Sequence, residues 1–223
     1  TLELDRRQRQ MCIRDRARAL GKLTVSLVGS PKHVVAAKDW GIDLIVAQGH
    51  EAGGHVGKIT TLSLVPQVVD IAGDIPVIAA GGIADGRQVA AALALGAQGV
   101  WLGTVWLAAR EHKTSEALLK QIIAAGSEDT LVSRAHSGKP ARLIRSNWTD
   151  EWSSPGAPEP LPMPLHQVLT GPLIAAVEEH QVEGLVYGGA GQSVAWCTKE
   201  TTVDDIMQRL LTETDTALDV LPR

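Results

Sequence analysis

Between residues 21 and 125 the chain repeats one pattern four times: a short apolar run, a turn, then a helix-forming stretch, with about 26 residues per unit. The apolar runs are Val25–Gly29, Leu44–Ala47, Pro76–Ala80 and Gly99–Gly103. Near-continuous apolar strands alternating with helices indicate a parallel sheet covered on both faces. The helices are read at Lys32–Trp40, Leu64–Ile71, Gly86–Leu95 and Ser115–Ala125. Asp85 is an N-cap, and Pro66 is tolerable only in a first helical turn. A doubly wound sheet and a (β/α)8 barrel both fit this repeat. A barrel needs about 200–250 residues for eight units, and only four are visible.

The flanks differ. Residues 1–20 carry six arginines against Glu3, Asp5 and Asp15. They lack the apolar core of a secretory signal and read as an unassigned, frayed start. Residues 126–223 form a third region. In it Trp148, Trp152 and five prolines between 155 and 164 suggest an extended wrapping segment over 146–166. Helices follow at Pro172–His180 and Val203–Leu218.

Composition narrows the function classes. A net charge of −4 argues against nucleic-acid and anionic-membrane partners, and no apolar run is long enough to span a bilayer. Two cysteines give no disulfide framework and suit a reducing, cytoplasmic setting. The chain has no Phe and one Tyr but six Trp, so aliphatic residues and Ala must fill the core.

Chemistry concentrates at strand ends. The loop Ala47-Gln48-Gly49-His50-Glu51-Ala52-Gly53-Gly54-His55-Val56-Gly57 follows the second strand, where α/β folds place ligands. Its glycines let backbone approach a flat or charged ligand. The two histidines are five apart and separated by glycines, unlike the helical i, i+4 pair of a zinc protease. A second loop, Ala79-Ala80-Gly81-Gly82-Ile83-Ala84-Asp85-Gly86, joins a Gly-terminated strand to a helix start, a phosphate cradle. A third strand end, Trp101-Leu102-Gly103-Thr104, lies one unit later and doubles that signal. Neither a Walker lysine nor a GxGxxG loop is present, and Gly191-Gln192-Ser193 lacks the GxSxG elbow of a hydrolase.

Together these three segments, with Gly96–Thr104, Gly138-Lys139-Pro140-Ala141-Arg142 and Gly189-Ala190-Gly191-Gln192-Ser193, closely resemble the nitronate monooxygenase family, formerly called 2-nitropropane dioxygenases. The resemblance covers residues 21 to about 215 and implies an FMN-dependent (β/α)8 TIM barrel with a small helical second domain. The four units here would correspond to its last four strands. It further implies that Gln48 and Gly53 contact FMN. Gly82 and the Trp101, Leu102, Gly103 and Thr104 turn would sit at its phosphate, Gly81 would also bind the cofactor, and His55 would be the catalytic histidine. Val56 stands where many relatives carry Arg. The implied reaction takes a nitronate or nitroalkane and O2 to a carbonyl compound and nitrite.

Flavin-dependent enoyl-acyl-carrier-protein reductases share the Glu-Ala-Gly-Gly-His loop and use NAD(P)H, an alternative reading. A third reading is a catalytically inactive, truncated half-barrel. Four units cannot close a barrel, so open edges and self-association are expected.

Overall fold

The computed structural model describes residues 12–220. Arg6, Arg7, Arg9, Glu3 and Asp5 of the Arg-rich start lie outside the described residues. Residues 12–19 form a helix, α1. It is anchored by Arg14, which donates to the Trp40 carbonyl (2.7 Å), and by Arg18, which donates to that of Gly41 (2.6 Å). The described end of the Arg-rich start is therefore helical rather than frayed.

Four parallel strands follow in the expected order: β1 (Val25–Val28), β2 (Leu44–Gln48), β4 (Val77–Ala80) and β5 (Gly99–Trp101). They hydrogen-bond as β1-β2-β4-β5, with Ala47 opposite Ala79 and Ala80 opposite Trp101. Because all four run the same way, the loops after β2, β4 and β5 emerge on one rim of the sheet. That juxtaposition makes the site.

Helices α2 (Pro31–Asp39), α3 (Thr61–Ala72) and α4 (Gly86–Ala94) join successive strands. Their apolar faces bury Val34, Leu64, Val65, Val68 and Ala92 against Val28, Ile45, Ala47 and Ala79 of the sheet. The core is aliphatic, as a chain without Phe requires.

The second helix corrects an expectation. It begins at Thr61, three residues earlier than its hydrophobic pattern indicated, and Pro66 sits in its second turn. The early start has a local cause. The Glu51 carboxylate accepts from the Thr61 backbone N–H (2.8 Å) and from its hydroxyl (3.0 Å), satisfying a helix-end donor. An interior proline costs about 3 kcal/mol, and the buried Leu64, Val65, Val68 and Ala72 face offsets it.

Asp85 caps α4 as expected. It accepts from the Arg87 N–H at 2.9 Å, while the Gln88 side chain returns to the Asp85 N–H at 3.1 Å. The Arg87 side chain beside it holds the Asp85 carboxyl below the usual aspartate value. Arg87 is exposed, so the ion pair itself adds little. Asp85→Ala should cost about 1 kcal/mol in urea unfolding at neutral pH. A carboxyl whose folded pKa is depressed stabilises the fold above its unfolded pKa of 3.8 and loses that contribution as pH falls through the folded value. The wild-type and Asp85→Ala curves should therefore converge as the solution is acidified below about pH 4. A gap that persisted there would assign the effect to packing.

Beyond β5 the chain adds a 3-10 turn at Thr104–Ala108 and α5 (Glu116–Ala124). A second, antiparallel sheet escaped the sequence reading: β3 (Gly54–His55), β6 (Thr130–Ser133) and β7 (Ala141–Ile144), ordered β3-β7-β6. Its β3 is two residues inside the glycine loop, too short for any periodicity.

The segment 146–166 is not wholly extended. Ser146 caps a helix, α6 (Asn147–Ser153), through a capping box with Thr149. The next helix, α7 (Leu165–Glu179), starts seven residues before the expected Pro172, which lies inside it. His166 and Thr170, both buried, bond the carbonyls of Ala135 and His136 and hold that added turn in place.

The final helix, α8 (Val203–Val220), packs on α4. Its Glu213 accepts from the Gly86 N–H (2.9 Å), and Arg209 donates to the Ala84 carbonyl (3.0 Å). Among the described residues no helix is long and apolar enough to cross a membrane.

The edge strand β1 leaves Val25 (46% exposed) and Leu27 (55%) in solvent, and Trp101 stands 51% exposed at the opposite edge. An unpaired, apolar strand edge is a template for association. Sedimentation velocity should show mass rising with protein concentration. A monomer across the whole range would contradict this.

Candidate functional site

The three strand-end loops enclose a cavity of about 440 Å3 at the carboxyl rim of the parallel sheet, inside the usual range for small-molecule sites of about 300–1,000 Å3. Gln48, Gly53, Gly81, Gly82, Trp101, Gly103 and Thr104 all line it. Seven of the eight residues expected to contact a cofactor thus meet in one concavity. The eighth, Leu102, does not. Its side chain packs into the core, and its carbonyl accepts from the Trp106 indole N–H (2.9 Å).

The glycines have different reasons for being glycine. Gly81 and Gly82 adopt φ of +102° and +75°, which a side chain would strain. A Cβ at Gly53 would lie 2.7 Å from backbone atoms of Ala190 and Gly191, so glycine lets the two loops touch. Gly103 has negative φ, and a Cβ there would meet nothing within 4 Å. Its missing side chain leaves cavity space.

The N–H groups of Gly82, Gly103 and Thr104 donate to no protein acceptor among the described residues. Free donors at adjacent strand ends are the type of group that can receive an anion. Thr104 is 8% exposed, and its hydroxyl accepts from the Gly191 N–H at 2.9 Å. It thereby draws in the tail that puts Gly189 and Ser193 on the cavity wall. Ser193, set aside in the sequence for want of a hydrolase elbow, is thus a lining residue. Behind Thr104, burial pushes the Cys197 thiol up to about 11, so it serves as packing rather than as a nucleophile.

His55 stands beside the cavity rather than in its wall. The preceding Gly54 lines the cavity, and the Gln48 amide donates to the His55 carbonyl at 3.2 Å. The exposed imidazole places Nε2 2.7 Å from Ser137 Oγ. Partial burial and the nearby Lys139 ammonium lower its pKa below the ordinary histidine value, favouring the neutral ring.

His50 makes only structural contacts. Its Nδ1 lies 2.6 Å from the Gly57 carbonyl, closing the loop on itself.

Two residues given no role from the motifs hold this loop. Arg142, 5% exposed on β7, donates to the His50 carbonyl (3.1 Å) and to the Thr130 hydroxyl (3.1 Å). Glu51 ties the loop to α3 through Thr61 and accepts from the Gln192 N–H at 3.0 Å. The Lys139-Pro140-Ala141-Arg142 stretch offered a sequence signal, but its reach to β3 is a tertiary contact.

A family model described as nitronate monooxygenase matches residues 4–213, reaching into the Arg-rich start that the resemblance over 21 to about 215 left out. A protein of Mycobacterium tuberculosis assigned as a monooxygenase is 52% identical over 155 residues, covering 70% of this chain and 41% of the relative. Among solved structures, the nitroalkane oxidase from Streptomyces ansochromogenes superposes with a TM-score of 0.82 at 34% identity, over 95% of this chain and 63% of that one. The FabK M276A mutant from Thermotoga maritima gives 0.74 at 31%, over 94% and 64%. The chain spans about half the length of the curated relatives it matches.

Proposed function

The chain belongs to the nitronate monooxygenase family, a family of TIM-barrel oxidoreductases, and from that premise we propose that its rim cavity holds FMN for the oxidation of nitronates or nitroalkanes by O2 to a carbonyl compound and nitrite. The observation that carries the reading is that Gly82, Gly103 and Thr104, whose N–H groups donate to no protein acceptor among the described residues, line one glycine-walled cavity with a histidine at its edge. Those donors fit a phosphate, and the mixed wall of Trp101, Ala52 and Gln48 fits a flat ring with polar edges. When bound, the flavin would supply the electron transfer and reaction with O2 that no side chain here can perform.

The side chains do the rest. A nitroalkane is a carbon acid, and the neutral His55 ring is suited to take its α-proton. Once protonated, the same ring can hold the nitronate anion. Gln48 keeps the histidine backbone against the rim, and Glu51 and Arg142 stop the glycine-rich loop from opening.

A second reading is favoured by the FabK likeness: reduction of an enoyl thioester with NAD(P)H in the same cavity. One experiment separates them. The purified chain is titrated with FMN, followed by flavin fluorescence, then offered a nitronate with O2 or NADPH with an enoyl thioester. Saturable quenching with nitrite release supports the first reading. NADPH oxidation without nitrite supports the second, and absence of quenching removes the flavin site.

A further inference from the structure

We propose that Ser137 is the positioning residue of His55, holding its Nε2 as the proton-bearing nitrogen and leaving Nδ1 as the nitrogen that exchanges protons with substrate. The proposal deepens the reading of His55 as the acid–base group and rests on it.

The asymmetry of the pair motivates it. His55 is exposed on a two-residue strand, and an unaided imidazole there samples several rotamers and both tautomers. Ser137 is 1% exposed and sits in the turn between β6 and β7, which is pinned from several sides. The Gly138 N–H donates to the Arg134 carbonyl, and Arg134 Nε donates back to the Gly138 carbonyl. The Ala135 carbonyl accepts from the Trp148 indole (3.2 Å) and from His166 Nε2 (2.9 Å). Thr170 donates to the His136 carbonyl (3.1 Å), and the His136 ring stacks on Tyr187 at 4.0 Å. A buried hydroxyl on a pinned turn therefore faces an exposed ring at 2.7 Å.

The direction of the bond follows from the reaction required of the ring. Ser137 Oγ already accepts from the Lys139 N–H (3.4 Å), and its second lone pair can accept Nε2–H. In that arrangement the bond survives protonation at Nδ1, because Nε2 keeps its proton throughout, and it strengthens as the ring gains charge. With the bond reversed, Nδ1 would carry the proton and could accept none. Lys139 opposes a positive charge on the ring, and the His136 ring lies close by. The Ser137 oxygen is the contact that favours that charge.

The test is nitrogen-15 NMR of the full chain with labelled histidine, with and without FMN, on wild type, Ser137→Ala and Ser137→Thr. Wild-type His55 should show protonated Nε2 and bare Nδ1. Ser137→Ala should lose that single-tautomer spectrum and shift the ring's titration to lower pH. Ser137→Thr, which keeps the hydroxyl, should restore both. Protonated Nδ1 in the wild type, or an unchanged spectrum in Ser137→Ala, would overturn the proposal. Because the readout is the ring itself, it stands apart from turnover. A wild-type tautomer result beside a fully active His55→Ala would sink the acid–base reading and leave the Ser137 contact standing.

Discussion

Replacing His55 by Ala should lower turnover of a neutral nitroalkane by roughly 10²–10⁴, the usual weight of a general acid–base group, while FMN affinity stays at the wild-type value. The split follows from geometry. The imidazole reaches Ser137 and adjoins the rim, whereas the phosphate-type donors lie on Gly82, Gly103 and Thr104. A nitronate prepared in advance needs no proton removed, so its oxidation should fall less. The pH profile gives an independent check. Partial burial and Lys139 favour the neutral ring, so kcat/KM for the nitroalkane should rise through an apparent pKa below 6.5. Activity needing neutral His55 is lost as pH falls through that value and persists above it. Equal, wild-type-like rates for both substrate forms in His55→Ala would remove this residue from the mechanism.

Filling the cavity without disturbing the fold should be nearly as damaging. Gly103 has φ of −124°, and its Cβ direction is open. Gly103→Leu should therefore leave stability within about 0.5 kcal/mol, as open positions do. It should weaken FMN binding by about 100-fold or more, equivalent to ~2.7 kcal/mol. Gly53→Ala is the opposite case. Its Cβ would press on the backbone of Ala190 and Gly191 at 2.7 Å, so the cost should appear in the fold, at about 1–3 kcal/mol of overpacking. Thermal melts beside flavin-fluorescence titrations of the two variants measure both quantities. Loss of fold in Gly103→Leu, or undiminished FMN affinity, would contradict the cavity assignment.

Both expectations started from strand-end glycines legible in the sequence, and what was legible follows a physical pattern. The four parallel strands were readable because a strand buried on both faces must be apolar along its length, as Leu44–Gln48 and Val77–Ala80 are. The Asp85 cap was readable because a capping box is a local hydrogen-bond pattern completed within four residues. The site's rim was readable for the same reason: Gly82 and Thr104 follow strands one unit apart, and adjacent parallel strands bring their ends together.

Where local signals were weak, long-range contacts decided. Pro66 and Pro172 lie inside helices because Glu51 captures the first turn of one, and buried His166 and Thr170 anchor the other. Glu51 is ten residues from its Thr61 partner, and His166 is 31 from Ala135, so neither propensity nor periodicity carries that information.

The sequence by itself determined the parallel α/β layout, the aliphatic core and the glycine-walled rim, because each depends on residue type at short spacing. Only the tertiary structure decided how His55 is held. Its partner Ser137 lies 82 residues away in a hairpin turn, and Arg142, which secures the loop, lies 92 residues from His50. A hydrogen bond depends on where two atoms are in space, and at those separations only the packed fold sets that distance.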